Sequence, residues 1–243
     1  MNGIGRDFVK MTKFQYLGQT DEEKGLPQPP LELEYDKTKR IIDLPDPKQF
    51  DVTVNLRETI ENRRSVRKYS ERPLTMEELS FLLWCTQGVK RVSSRPSTAR
   101  TVPSAGARHA FETCILANNV TGLRPGLYRY VAIGHRLVEE NISPGMADEV
   151  TRACRGQEFV KASAATFIWV AVTRRMTWRY GERGYRYMFL DAGHVCQNLY
   201  LSAQAIDCGV CALAAFSDDD MNSILGLDGE ELFVIYMATV GKK

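Results

Sequence analysis

The period of apolar and polar positions changes several times along the chain, and each period predicts an element. LRETIENRR (56–64) puts Leu56 and Ile60 on one face at helical spacing, which predicts a short amphipathic helix. LTMEELSFLLWCTQG (74–88) predicts a longer one, with Thr75 as its cap, Glu78 completing a capping box and Gly88 ending it. ADEVTRACRG (147–156) reads as a helix. So does SDDDMNSILGL (217–227), whose aspartates stand where the helix dipole favours negative charge. AFETCILAN (110–118) and GLYRYVA (126–132) read as strands, AATFIWVAV (164–172) as a fully buried strand, and ELFVIYMATVG (231–241) as a final strand. GYRYMFLDAGHVCQNLYLSAQAIDCG (184–209) predicts a long helix, apolar nearly all round, suited to the centre of a fold or to a subunit interface. Helices and strands mix without regular βαβ alternation, so the expected fold class is α+β.

Residues 1–51 differ. They are polar, and the prolines of LPQPPLELEYDKTKRIIDLPDPK (26–48) forbid a long helix. The expectation is an extended arm (1–51) that wraps the body or a partner subunit, with the globular domain at 52–243.

Composition narrows the function classes. The chain has 243 residues, 44% hydrophobic and 26% charged, with 32 basic against 30 acidic side chains. That balance argues against general nucleic-acid binding, which needs a strongly basic face. The longest apolar run, 164–172, is far short of the roughly 20 residues that span a bilayer, so no membrane association is expected. Residues 1–16 contain no apolar signal region, so a cytoplasmic location with reduced thiols is expected. Cys208 and Cys211 form a C-x-x-C pair without a second ligand pair nearby, in small apolar surroundings. They read as buried thiols, and no metal is expected.

Three stretches could carry chemistry. In ENRRSVRKYSERPLT (61–75), Arg63, Arg64, Arg67, Lys68 and Arg72 surround Ser65. Such a cluster is either a solvated basic turn or a phosphate site, since guanidinium forks match phosphate oxygens. The two common phosphate loops, Walker A and G-x-G-x-x-G after a strand, are absent. In RTVPSAGARHAFE (100–112), Pro103, Ser104, Ala105 and Gly106 are small enough to bring backbone against a flat ligand, or form a plain loop. His109 is a candidate base or a structural histidine. Asp191, His194 and Asn198 make a polar stripe along the long helix, read as structural hydrogen bonding because no nucleophile accompanies it.

RRSVRKYSERPLTMEELSFLLWCTQGV, RTVPSAGARHAFE, GYRYMFLDAGHVCQNLYLSAQAIDCGVCALAAF and VIYMATVGKK follow one another from about Leu56 to the C-terminus. In that order they resemble the FMN-dependent nitroreductase family, most of all its SagB-type branch, which holds azoline dehydrogenases of thiazole/oxazole peptide biosynthesis. The resemblance implies a nitroreductase-like mixed or antiparallel sheet flanked by helices. It also implies an intertwined homodimer with FMN sites at the interface. It assigns Arg63, Arg64, Ser65 and Arg67 to the FMN phosphate and ribityl chain, with Lys242 or Lys243 closing on the same phosphate. Pro103, Ser104, Ala105 and Gly106 would lie along the flavin, and Leu213, Ala214 and Ala215 would pass the ring with their backbone. The implied activity is hydride transfer through flavin N5 by a ping-pong mechanism, with NADH or NADPH as donor and a small-molecule or peptidic substrate. Azole-forming members share a Lys-Tyr pair where this chain has Arg179–Tyr180 and Arg186–Tyr187. Tyr180 and Tyr187 are the candidate proton-transfer groups, since arginine stays protonated up to a pKa of about 12. Three further readings stand beside this one: a true azoline dehydrogenase with a partner cyclodehydratase, a protein that binds FMN without turnover, and a phosphate-binding module without flavin.

Overall fold

A computed structural model describes residues 3–94 and 96–243. In chain order the helices are α1 (Ile4–Met11), α2 (Leu56–Asn62), α3 (Met76–Gln87), α4 (Met146–Ala153), α5 (Phe159–Ala162), α6 (Thr173–Tyr180), α7 (Arg183–Gln204) and α8 (Asp218–Leu225). The strands are β1 (Ile41–Asp43), β2 (Val89–Val92), β3 (Thr98–Arg100), β4 (Phe111–Ala117), β5 (Gly126–Val131), β6 (Arg136–Asn141), β7 (Ala165–Val172), β8 (Cys208–Leu213) and β9 (Leu232–Lys242). Seven strands form one antiparallel sheet in the order β1-β6-β5-β4-β7-β9-β8, and β2 and β3 make a separate hairpin. The α+β class expected from the mixed periods is the class observed.

Burial explains the pattern. β7 is buried at all 8 positions because helices cover both sides of the sheet. Phe167 and Trp169 pack with Leu79 and Leu83 of α3 and Met188 and Leu199 of α7. Ile168 and Val170 join Val150 of α4 and Met221 of α8 on the opposite side. α3 carries the expected capping box between Thr75 and Glu78 and stops at Gly88.

The sheet also contains pieces that the apolar period does not announce. The long helix ends at Gln204, and Cys208–Leu213, whose first two residues were expected at the helix end, form the edge strand β8. β6 is polar at its outer end, and its pairing with β5 and β1 makes it a strand. α1 precedes the first proline of the arm, so the prolines do not prevent it.

The arm lies on its own chain. Glu22 N donates to Trp178 O (2.9 Å), Trp178 Nε1 to Leu26 O (2.9 Å), Arg175 Nε to Pro30 O (2.8 Å) and Leu33 N to Glu112 (2.9 Å). Through β1 it also pairs with β6, so the sheet draws strands from both sides of Val52.

His109 is 5% exposed, and burial, together with Arg100, pushes its pKa down to about 3. It folds neutral, whereas the unfolded chain binds its proton below about pH 6.5, so stability is retained above that pH and lost as pH falls toward 3. Between pH 6.5 and 5 this amounts to about 2 kcal/mol, at about 1.4 kcal/mol per unit. Urea unfolding at the two pH values is expected to show that loss in the parent and little of it in His109→Gln.

Candidate functional site

The basic segment is held in place from below. Asn55 caps α2 through its side chain, and the helix stops where Arg63 turns extended. The chain then lies along the free side of β8, with a parallel bridge between Ser65 and Val210 and a hydrogen bond from Val66 N to Val210 O (2.9 Å). Gly209 permits this approach: a Cβ there would stand 2.5 Å from the Val66 side chain. Tyr69 OH ties the segment down through Val66 O and Thr239 Oγ1, each at 2.7 Å, and Ser70 N donates to Lys242 O (2.9 Å).

Arg63 stacks 5.2 Å from the Tyr200 ring, Ser65 Oγ lies 3.0 Å from the Tyr200 hydroxyl, and Arg67 lies 6.0 Å from the Phe159 ring. The alternation expected for extended chain thus brings Arg63 and Ser65 to one side. Tyr200 also accepts from Ala212 N (2.9 Å), joining α7 to β8 at this point. Nothing in the local sequence distinguishes it from other apolar positions of α7, and it was not among the expected site residues. Among the described residues, Arg63, Arg64, Arg67 and Lys68 have no carboxylate partner, while Arg72 has Asp207 at 3.5 Å. Four cations without acid partners along one segment, with the Ser65 hydroxyl at its centre, fit a phosphate ester.

Lys242 and Lys243 reach the same corner but turn away from it. Lys242 pairs with Glu78 and donates to Ile206 O (3.1 Å), and Lys243 donates to Gln204 (2.7 Å) and lies 3.9 Å from Asp207. β8 ends at Leu213, which is buried, and Ala214 and Ala215 beyond it are exposed. Gln157 fixes the turn by donating to Ala215 O (2.9 Å).

Pro103, Ser104, Ala105 and Gly106 sit at the other end of α7. Ala105 N points at the Asp191 carboxylate (3.3 Å), and His109 N donates to Ser104 Oγ (2.9 Å). Burial raises the Asp191 pKa, opposed by the hydrogen bonds from Ser104 and Ala105. Asn198 donates to Cys85 O (2.9 Å), and His194 is half-exposed, 3.8 Å from Asp191. Two members of the polar stripe therefore hold neighbouring backbone, as its structural reading expects. Gly106 has a φ of 56°, and a Cβ there would come within 2.4 Å of the Tyr180 hydroxyl. Gly106→Ala is expected to displace Tyr180 and to destabilise the fold by about 1–3 kcal/mol, measured by urea unfolding.

Tyr180 and Tyr187 meet edge to face at 4.9 Å, and Arg183 Nε donates to Tyr187 OH at 2.7 Å. Arg183 is itself held by Thr12 O (2.7 Å) and the Phe14 ring (4.5 Å) of the arm. The structure therefore forms two groups. Arg63, Ser65 and the end of β8 gather around Tyr200, with the two lysines by the start of β8 and facing away, whereas 103–106 and the tyrosines gather around Asp191. Asp191 and Tyr200 stand about 14 Å apart along the axis of α7.

All six cysteines are free thiols, and burial raises the Cys208 pKa to about 11. Among the described residues no cluster of histidine, cysteine and carboxylate could hold a metal, and no helix is long and apolar enough to cross a membrane.

The chain matches the nitroreductase family model over residues 60–242. It is 33% identical over 202 residues to MJ1384 of Methanocaldococcus jannaschii, a protein that bears a nitroreductase name, covering 83% of this chain and 96% of that one. It is 24% identical to the trifolitoxin operon protein TfxC of Rhizobium leguminosarum bv. trifolii, covering 93% of this chain and 65% of TfxC. A crystal structure from Anabaena variabilis, also under a nitroreductase name, superposes with a TM-score of 0.68 at 28% identity, and the chain spans 42% of its length. The E. coli microcin synthetase McbBCD complex shares the fold over 99% of this chain and 92% of that one, with a TM-score of 0.63 at 17% identity. The antiparallel sheet flanked by helices agrees with these neighbours, and the chain belongs to the nitroreductase family, within which it resembles the SagB-type branch.

Proposed function

We propose that the protein is an FMN-dependent oxidoreductase whose flavin phosphate is held by Arg63, Arg64, Ser65 and Arg67. The observation that carries this reading is the set of unpaired cations laid along β8 by the Ser65–Val210 bridge. A solved relative from Desulfovibrio desulfuricans, alike in fold at 17% identity and a TM-score of 0.54, is a complex with FMN. When bound, FMN supplies hydride exchange at N5, in ping-pong order between NADH or NADPH and a small-molecule or peptidic acceptor. The chain's own groups bind and orient it. Lys242 or Lys243 would exchange its present acid or amide partner for the phosphate, and the backbone at 213–215 and at 103–106 would hold the ring.

The separation of the two groups along α7 supports a flavin site completed by a second copy. Large apolar side chains are exposed on the elements that carry the two groups: Phe189 and Leu190 of α7 and Leu56 and Ile60 of α2 are all more than half exposed. We therefore assign a homodimer in which 103–106 of one copy and Arg63–Arg67 of the other serve the same flavin.

A second reading, oxidation of peptide thiazolines or oxazolines with a partner cyclodehydratase, is favoured by the trifolitoxin-processing protein TfxB. This relative is 26% identical over 154 residues, covering 41% of its length. In that reading Tyr180 or Tyr187 accepts the substrate proton, and co-purification with the partner is the expected observation.

The test is the visible spectrum of the purified protein before and after anaerobic NADH or NADPH. Flavin bands that bleach are expected. Bound flavin that refuses both donors favours a binding protein without turnover, and a colourless protein that takes up no FMN overturns the assignment.

A further inference from the structure

Arg108 lies just beyond the 103–106 loop, and only 8% of it is exposed. Its Nε donates to Gly106 O at 3.2 Å, and its guanidinium lies 5.5 Å from the Trp178 ring centroid. Among the described residues it has no carboxylate within ion-pair distance. Burial works against its charge, Arg179 adds to that, and the carboxylate acting in its favour is Glu22 of the arm. Glu22 is already engaged: it lies 3.5 Å from Arg179, and both side chains are about 40% exposed. The arm brings it there through the hydrogen bond from Glu22 N to Trp178 O. Two guanidiniums thus share one exposed carboxylate, which leaves a buried arginine short of a negative partner.

This pair borders the loop assigned to the flavin. A Cβ on Gly106 would lie 2.4 Å from the Tyr180 hydroxyl and 3.3 Å from Arg179, so loop, tyrosine and guanidinium are in mutual contact. Arginine forks bind phosphate and carboxylate through paired hydrogen bonds, and a desolvated fork binds them more strongly than an exposed one. We propose that Arg108 and Arg179 form an anion-recognition site for the phosphate or carboxylate of the molecule that exchanges electrons at the flavin, with Glu22 as its displaceable internal counter-ion. The inference rests on the flavin reading above and names the charge class of the donor or acceptor. The same site gives the arm a competitive role, because any anion that enters must displace its carboxylate.

The experiment is calorimetric titration of the FMN-loaded protein with inorganic pyrophosphate and with succinate. FMN already fills the Arg63–Arg67 site, so the added anion reports on Arg108 and Arg179. At least one of the two is expected to bind with a Kd of about 1 mM or tighter. Arg108→Gln and the half-exposed Arg179→Gln should each weaken it about tenfold or more. Glu22→Gln should strengthen it about threefold. Opposite signs from arginine and glutamate substitutions are not produced by a merely structural role. Preference for pyrophosphate identifies a phosphorylated electron donor, and preference for succinate a carboxylate-bearing substrate. Flavin content, read separately by absorbance, decides the flavin reading. Absence of binding by both anions, or unchanged affinity in flavin-loaded Arg179→Gln, overturns this one.

Discussion

Arg63→Ala is expected to weaken FMN retention by about 10- to 150-fold, because a charge-assisted hydrogen bond is worth about 1.5–3 kcal/mol. The substitution isolates binding from folding. Arg63 meets the rest of the chain chiefly by stacking on Tyr200, whose hydroxyl keeps Ser65 and Ala212 as partners when the guanidinium is gone. Fluorescence titration of the apoprotein with FMN should therefore show the loss, while the urea midpoint moves little. Arg67→Ala should behave similarly, since Arg67 also lacks a carboxylate among the described residues. Lys242→Ala should behave differently, because Lys242 is paired with Glu78 in a mostly buried setting and its removal leaves that carboxylate without its ammonium. Equal FMN affinity in Arg63→Ala, Arg67→Ala and the parent would overturn the phosphate assignment.

The largest loss of stability is expected at Glu112. Its side chain and that of Arg175 are 6% and 3% exposed and form an ion pair inside the molecule. The same carboxylate accepts from Leu33 N, so it also fastens the arm. Arg175 Nη1 is already buried without a hydrogen-bond partner, and buried Arg100 is close enough for Glu112 to favour its charge. Removing the carboxylate in Glu112→Ala leaves two buried cations poorly compensated, a loss of about 3–5 kcal/mol. Glu112→Gln keeps an acceptor for Leu33 N and should lose less. Urea unfolding measures the first effect. Faster amide exchange around Leu33 than around β7 measures the second. A Glu112→Ala protein as stable as its parent would show that the pair contributes nothing.

Much of the fold is legible in the residues themselves, for reasons that operate over a few positions. Thr75, Glu78 and Gly88 predict both ends of α3 because capping satisfies backbone groups within one turn. AATFIWVAV predicts a doubly covered strand because alternation vanishes when both sides are buried. The small loop at 103–106 and the basic segment at 61–72 stand out from composition alone, and the resemblance carried by the four motifs agrees with the family match. β6 and β8 do not stand out. Arg136 and Glu139 are ordinary surface residues until β5 and β1 offer hydrogen bonds, and Cys208 and Gly209 read as the end of a helix until β9 pairs with them.

What the sequence by itself determined is therefore local: where helices are capped, which runs are apolar, and where positive charge gathers along the chain. What only the tertiary structure decided is which distant groups meet. Tyr200 under Arg63 and Ser65, Asp191 under the Ala105 amide, Glu78 against Lys242 and Glu22 against Arg179 each join residues far apart in sequence. Those contacts depend on sheet pairing and on burial, which make an unpartnered charge or amide costly only once the chain has closed around it.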